Sequence, residues 1–164
     1  MPSVKKTPNL NFKHPAVWLA TWFGCGLLKP APGTWGTLGA LPVGILLVMF
    51  TGLPGLLIGT VIISVIGYWA SGVFEKMSGE KDSSMIVIDE AAGIWLTLLA
   101  APMTPLGASL AFVFFRVFDV LKPWPVSYVD KKMSGPLSVM GDDILAGIYA
   151  ALCLIGLKYA GFDY

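Results

Sequence analysis

The chain alternates long apolar runs with short segments that are polar or rich in glycine and proline. The runs cover residues 38–50, 55–74, 86–101, 106–121 and 143–160. A helix needs about 20 apolar residues to cross a bilayer, so several of the runs are expected to extend into their flanks. The pattern predicts an all-α integral membrane protein, built as a compact bundle of about five transmembrane or partly inserted helices.

The segments that connect the runs fall into two kinds. TGLPG at 51–55 and APMTPLG at 101–107 carry no charge and predict tight turns between neighbouring helices. GEKDSS at 79–84 and the stretch 122–143 are longer and charged. Charged and uncharged connections therefore alternate along the chain, as they would if each kind lay on its own side of a membrane.

The N-terminal part is organised differently from the rest. Residues 1–15 form a polar, basic tail. Residues 16–34 are apolar but interrupted by glycines, and we expect them to be interfacial or re-entrant. The helical bundle is then expected over 35–160, within a single membrane domain of residues 1–164.

Composition agrees with this class of protein. Hydrophobic residues make up 55% of the chain and charged residues 13%, whereas soluble domains carry roughly 25% charged residues. The net charge of +1 gives no basic field for nucleic acid, so we expect none as a partner. Cys25 and Cys153 are read as packing residues, and a single histidine, His14, argues against a histidine metal site. No pattern specifies an oligomeric state.

The basic residues predict an orientation. With a cytoplasmic N-terminus and five spans, ten of the eleven basic residues fall on the inner side, as the positive-inside rule requires. They are Lys5, Lys6, Lys13, Lys29, Lys76, Lys81, Arg116, Lys122, Lys131 and Lys132. Only Lys158 lies toward the other side.

The same topology gathers charged residues from three helix ends at the cytoplasmic face. Asp89 and Glu90 open the third helix, Arg116 and Asp119 close the fourth, and Asp142 and Asp143 are expected to open the fifth. Five carboxylates then face three cations, Lys29, Arg116 and Lys122, which leaves a charge of −2 in a partly desolvated place. Protonation would reduce this repulsion, and a divalent cation would remove it more directly.

These residue types suit phosphate chemistry. A set of oxygen ligands without His or Cys favours a hard ion, first of all Mg²⁺. An Arg fork and a Lys ammonium match phosphate oxygens. Metal-binding carboxylates beside phosphate-binding cations are the parts of a phosphoryl-transfer or phosphate-hydrolysis site.

The loop KPAPGTWGTLGALP, residues 29–42, is a second candidate phosphate element. We expect a helix to begin near Trp35, with Thr34 or Thr37 as its cap, and the free N–H groups of its first turn to favour an anion. The spacing does not fit a nucleotide-binding P-loop.

Each of these features also has a simpler interpretation. The acidic pairs could be water-facing residues that complement helix dipoles, and Arg116 and Lys122 could be basic residues that reach to the membrane surface. Their expected position on one side of the membrane favours a shared site.

Four motifs together resemble the phosphatidylglycerophosphatase A family of bacterial membrane lipid phosphatases. They are PGTWGTL at 32–38, DSSMIVIDEAAG at 82–93, FRVFDVLKPWPVSYVD at 115–130 and MGDDILAG at 140–147. Two details differ from the family pattern: SGPLSVMGDD at 134–143 replaces a stretch that tends to be glycine-rich, and Thr37 stands where serine is common.

The resemblance implies a Mg²⁺-dependent enzyme that hydrolyses phosphatidylglycerophosphate to phosphatidylglycerol and inorganic phosphate. It would be a multi-pass protein of the bacterial inner membrane, with a membrane phospholipid as its substrate and its site facing the cytoplasm. The family's motifs carry Asp82, Asp89, Glu90, Arg116, Asp119, Lys122, Asp130, Asp142 and Asp143.

The residues and the resemblance give one hypothesis for the site. The carboxylates expected to act in catalysis and to bind the metal are Asp89, Glu90, Asp119, Asp142 and Asp143. The residues expected to bind substrate are Arg116, Lys122, Lys29, Thr34, Thr37 and Asp82. Glu90 would orient the attacking water, while direct attack by an aspartate stays open, as does the number of metal ions.

Other functions remain compatible with parts of the pattern. A small transporter or ion-pathway protein would also hold charges in the membrane, but near its midplane and in repeated broken helices. A phosphatase for another lipid phosphate or a polyprenyl phosphate would use the same chemistry.

Overall fold

The computed structural model describes residues 10–162, and every regular element in that part of the chain is helical. The six α-helices are α1 Pro15–Ala20, α2 Pro32–Ser78, α3 Ile88–Leu98, α4 Pro105–Leu121, α5 Val126–Lys132 and α6 Pro136–Tyr159. The predicted all-α class is confirmed. Residues 1–9 of the predicted basic tail, and with them Lys5 and Lys6, lie outside the described residues.

Helix α2 is a hairpin of two arms, 32–51 and 53–78. Gly52 between them is non-helical, with φ 72° and ψ −176°, a conformation that glycine adopts without strain. Gly44 on the first arm and Gly59 on the second lie about equally far from Gly52, and both abut the ring of Trp95. The arms therefore run antiparallel, and the turn predicted at 51–55 is confirmed.

The third predicted helix is shorter than its apolar run. Helix α3 has 11 residues, which span about 16 Å and fall short of a bilayer's hydrocarbon core. Nine of the 11 are buried, and the helix packs between α2 and α6. It ends before a turn at 99–101 that leads into Pro102. Run 86–101 therefore forms a central helix enclosed by the others.

Within residues 10–162, two helices, α2 and α6, are long and apolar enough to cross a membrane. In the apolar 18-residue stretch that makes α2 a candidate membrane span, only 11% of the residues are buried. Its exposed side chains include Leu46, Met49, Phe50, Leu57, Ile58, Val61, Ile62 and Val65. A continuous apolar surface of this kind is typical of contact with lipid or a partner.

The segment 16–34 is held against the bundle. Helix α1 has six residues, too few to span a membrane, and Ala16, Val17 and Ala20 are buried. The Val87 N–H donates to the Ala20 carbonyl at 2.8 Å. This bond ties the segment to the loop that precedes α3.

Two predicted helix starts were wrong. Helix α2 begins at Pro32, because proline suits the first position of a helix, and no side chain in the described part of the protein caps it. Thr34 and Thr37 therefore lie inside the helix rather than at its cap. Helix α6 begins at Pro136, so Asp142 and Asp143 lie in its second turn and not at its start.

Candidate active site

The crossing of α3 and α6 brings two aspartates together. A Cβ on Gly147 would stand 2.6 Å from the Gly93 carbonyl oxygen, so the two backbones touch at this point. Thr97 Oγ1 donates to the Gly93 carbonyl at 2.9 Å and lies 3.3 Å from the Gly147 carbonyl oxygen. Asp89 and Asp143 lie one turn before these glycines, at the same end of the crossing.

Asp89, Glu90 and Asp143 form a cluster of three carboxylates, called here the carboxylate cluster. One oxygen from each lies within 4.8 Å of the others. Glu90 is 8% exposed and Asp143 is 3% exposed. Three buried oxygens, Asp89 Oδ1, Glu90 Oε2 and Asp143 Oδ2, have no hydrogen-bond partner among the described residues. Buried polar atoms are normally paired, so this cluster is poised to accept a proton or a cation.

Burial disfavours the charged forms of these acids. It raises the pKa of Asp89 well above its ordinary range, and the charges of Glu90 and Asp143 add to the effect. Burial also raises the pKa of Glu90 to about 7. A cation at the cluster would compensate the same charges, and the all-oxygen donor set suits Mg²⁺. The residues present therefore fit a hard divalent ion.

The other two predicted carboxylates are paired with cations. Asp119 Oδ2 accepts from Arg116 Nη1 three residues earlier on α4. Asp142 Oδ2 lies 2.5 Å from Lys122 Nζ. The structure thus divides the five acids into three with unpartnered oxygens and two that hold an Arg and a Lys.

Arg116 links the two groups. Its Nη1 stands 4.0 Å from Glu90 Oε1, so the guanidinium borders the carboxylate cluster. Burial alone would lower the pKa of Lys122, but its hydrogen bonds to Asp130 and Asp142 outweigh this and raise it above the ordinary value. Lys122 is therefore charged at neutral pH.

The first turn of α2 closes the site from another side. A Cβ on Gly33 would collide with Glu90 Oε1 and approach Arg116 Nη1 to 3.1 Å. A larger residue here would push the Glu90 and Arg116 side chains aside, so glycine lets the start of α2 approach them closely. Free N–H groups in the first turn of a helix favour an anion, and here they adjoin Arg116.

A cleft of about 310 Å³ contains these groups. It is lined by Ala31, Pro32, Gly33, Asp82, Ser83, Ser84, Ile86, Asp89, Glu90, Arg116, Asp119, Val120, Lys122, Asp142 and Asp143. The charged residues predicted to act in catalysis or to bind metal or substrate were Lys29, Asp82, Asp89, Glu90, Arg116, Asp119, Lys122, Asp142 and Asp143, and all but Lys29 line this cleft.

Three predicted substrate residues lie elsewhere. Lys29 is exposed and is absent from the lining of the cleft. Thr34 is half-buried and Thr37 is buried, where its hydroxyl donates to the Gly33 carbonyl at 2.8 Å. Neither threonine lines the cleft, so the motif contributes Gly33 rather than a hydroxyl.

Sequence reasoning overlooked several cleft residues. Gly33, Ser83, Ser84 and Val120 line it, and the first three lie inside motifs already singled out, PGTWGTL and DSSMIVIDEAAG. Asp130 also belongs to a motif, yet its contact with Lys122, at 2.6 Å, could not be read from spacing. Val120 has no signal beyond its position next to Asp119.

Comparisons with known proteins agree on one family. The family model described as phosphatidylglycerophosphatase A matches residues 18–158. A phosphatidylglycerophosphatase A of Haemophilus influenzae is 38% identical over 92% of this chain and 93% of its own. One of Escherichia coli is 37% identical over 87% of this chain and 83% of its own.

A third relative carries a different substrate in its name. It is a Bacteroides thetaiotaomicron protein named provisionally as a phosphatidylinositol-3-phosphatase, 37% identical over 84% of this chain and 90% of its own. No solved structure matches the chain significantly.

Proposed function

The chain belongs to the phosphatidylglycerophosphatase A family, and from that premise we propose that it hydrolyses phosphatidylglycerophosphate to phosphatidylglycerol and inorganic phosphate, with Mg²⁺ as its cofactor. The observation that carries the proposal is the carboxylate cluster with its three unpartnered buried oxygens, next to Arg116 and Lys122 in one cleft. A cation-binding group beside two phosphate-binding side chains is what a phosphomonoester requires.

We assign the metal first to Asp89, Glu90 and Asp143. Asp119 lines the same cleft as Asp143, and Asp142 is next to Asp143 in sequence, so both are in a position to complete the ligand set. Bound Mg²⁺ would supply Lewis-acid stabilisation of charge on the phosphate oxygens. Among the predicted substrate residues, Arg116, Lys122 and Asp82 remain assigned to the substrate, because they line the cleft.

The hydrolysis needs a nucleophile, a base and a leaving group. In the proposed reaction a water oxygen attacks phosphorus and loses its proton to the Glu90 carboxylate. The bond between phosphorus and the glycerol oxygen breaks, and that oxygen takes up a proton from solvent. Arg116 and Lys122 hold the phosphate oxygens throughout, because their fixed charges match the charge that these oxygens carry.

We further propose a place in the bacterial inner membrane, with the cleft at the cytoplasmic surface. The basic residues of the inner segments support this orientation, and the exposed apolar side chains of α2 support lipid contact. The cleft lies at the starts of α2 and α3 and the end of α4, at the end of the bundle opposite Gly52. A headgroup phosphate could reach it there while the acyl chains stay in the bilayer.

A second candidate substrate is favoured by one observation. The Bacteroides relative is named for the 3-phosphate of phosphatidylinositol, which is also a phosphomonoester at headgroup level. The same cleft chemistry would serve it, and the difference would lie in contacts to the alcohol that leaves.

The experiment is a phosphate-release assay on the purified protein in mixed micelles, with Mg²⁺ and with a chelator. The proposal expects release from phosphatidylglycerophosphate that requires Mg²⁺ and exceeds release from phosphatidylinositol 3-phosphate. If release from phosphatidylinositol 3-phosphate is greater, that lipid becomes the proposed substrate. Absence of release from both lipids in Mg²⁺, with protein that remains folded, would reject the proposed function.

A further inference from the structure

Lys122 is held by two carboxylates, only one of which lines the cleft. Its Nζ lies 2.6 Å from Asp130 Oδ1 and 2.5 Å from Asp142 Oδ2. Lys122 and Asp142 line the cleft, and Asp130 does not. Asp130 therefore contacts the ammonium from outside the cleft lining.

The position of Asp130 is fixed by the contact between α5 and α6. Ser138 Oγ lies 3.2 Å from the Val129 carbonyl oxygen and 3.3 Å from that of Asp130, so its hydroxyl can donate to either. A Cβ on Gly141 would approach Val129 to 3.0 Å, so the two helices are close there. Ser138 and Asp142 lie four residues apart on α6 and face α5 together.

The end of α4 fixes Lys122 from its own side. Its backbone adopts φ 45° and ψ 59°, the left-handed conformation that is uncommon for a lysine. Its N–H donates to the Phe118 carbonyl at 2.9 Å. Both the backbone of Lys122 and the carboxylates that meet its side chain are thus held in place.

A lysine ammonium has three N–H donors and no acceptor. Asp130 and Asp142 account for two of the donors, which leaves one for a further acceptor. Two fixed contacts also restrict the rotation of a long, flexible side chain before the substrate binds. The third N–H therefore belongs to an ammonium, that of Lys122, which lines the cleft together with Arg116.

We propose that Asp130 is a positioning residue: together with Asp142 it holds the Lys122 ammonium so that the third N–H donates to the phosphate group of the substrate. The inference rests on the proposed function and deepens it, because it states how one phosphate-binding group is oriented. Asp130 itself touches neither phosphate nor metal in this arrangement.

The test compares Asp130→Asn with the parent protein in Mg²⁺, using inorganic phosphate as the probe and calorimetry to measure its dissociation constant. Loss of a charged contact that orients Lys122 should weaken phosphate binding about tenfold. Asp130→Glu should restore most of the affinity. Lys131→Gln, an exposed change on the same short helix, should leave it unchanged.

Two further measurements separate positioning from a structural role. The dissociation constant of Mn²⁺ should stay within twofold of the parent value in Asp130→Asn, and the KM for the lipid should rise far more than kcat falls. Asp130→Asn should add nothing to the loss already caused by Lys122→Gln, because the two residues act through one contact.

Unchanged phosphate affinity in Asp130→Asn would overturn the inference. So would a loss of affinity on Asp130→Asn that is as large in the Lys122→Gln variant as in the parent protein. Ser138→Ala, which loosens the anchoring of Asp130 from α6, offers a second route should Asp130→Asn fail to fold. It should weaken phosphate binding in the same direction, and an unchanged affinity would count against the inference. Phosphate binding is measured without turnover, so failure of the proposed function would appear separately, as absence of release by the parent protein.

Discussion

Gly147 lies directly against the backbone of Gly93, at a distance where any Cβ would meet the Gly93 carbonyl oxygen at 2.6 Å. Asp143 and Asp89 stand one helical turn before these two glycines. The close approach of α3 and α6 therefore sets the spacing of the carboxylate cluster, and the packing of the bundle cannot change there without altering the candidate site.

The substitution Gly147→Ala should destabilise the protein and weaken metal binding together. The added methyl group has no space at the crossing, and overpacking of this kind typically costs about 1–3 kcal/mol. Gly156→Ala on the same helix is the matched control, since no atom of residues 10–162 lies within 4 Å of its Cβ position. There the change should be neutral or stabilising by roughly 1 kcal/mol. Thermal unfolding in detergent measures the stability of both variants, and equal melting temperatures would contradict the close contact between Gly147 and Gly93.

Glu90→Gln should abolish most activity without loss of stability. If Glu90 accepts the proton of the attacking water, its removal should lower kcat by about 10²-fold or more. The melting temperature of the metal-free protein should not fall, because a buried, uncompensated carboxylate has been neutralised. Glu80→Gln, at an exposed position in the loop before α3, is the control and should keep full activity. Full activity in Glu90→Gln would remove Glu90 from the mechanism.

The stability of the metal-free protein should fall as pH rises. Burial raises the pKa of Glu90 from 4.5 to about 7, so between these values the folded protein binds more protons than the unfolded chain. The contribution of Glu90 to stability is then complete below pH 4.5 and lost as pH passes 7. With a chelator present, the melting temperature should be lower at pH 8 than at pH 5.

Mg²⁺ should reverse this pH dependence, because metal ligands must be deprotonated and binding is therefore stronger at high pH. The rise in melting temperature on adding Mg²⁺ should be larger at pH 8 than at pH 5. Glu90→Gln should flatten the dependence in chelator. If the melting temperature in chelator instead increases between pH 5 and pH 8, the prediction is wrong.

Gly33→Ala should impair substrate binding more than folding. Its methyl group would displace Glu90 Oε1 and the Arg116 guanidinium, which are flexible side-chain ends, so the fold can adjust. The KM for the lipid should rise several-fold, since Arg116 is moved from the start of α2. The melting temperature should change little, because alanine also favours the helix by about 1 kcal/mol. An unchanged KM would show that the start of α2 does not contribute to substrate binding.

The helices themselves were predictable because lipid-facing segments contain few polar groups, so the apolar runs mark them clearly. The turn at Gly52 was also predictable, since TGLPG combines two glycines and a proline without charge. Helix α3 was predicted too long, because hydrophobicity does not distinguish a short, enclosed helix from one that faces lipid. The start of α6 was missed because Pro136, a good first helical residue, was read as part of a loop.

The content of the cleft was predictable, but the pairing inside it was not. The acidic and basic motif residues had to share one end of the bundle once the helices alternated in direction. Which carboxylate meets which cation depends on side-chain distances set by the Gly93–Gly147 contact and by the docking of α5. That is why Asp119 and Asp142 were grouped with Asp89 in the sequence, whereas the structure pairs them with Arg116 and Lys122.

In the proposed mechanism Asp89, Glu90 and Asp143 together bind a divalent cation that the reaction requires. Titration of the purified protein with Mn²⁺, followed by electron paramagnetic resonance, tests it most directly, with Asp143→Asn and Lys131→Gln measured in parallel. We expect a saturable Mn²⁺ site that Mg²⁺ displaces, weakened at least tenfold in Asp143→Asn and intact in Lys131→Gln. Equal Mn²⁺ affinity in Asp143→Asn and the parent protein would show that these three carboxylates do not form the metal site.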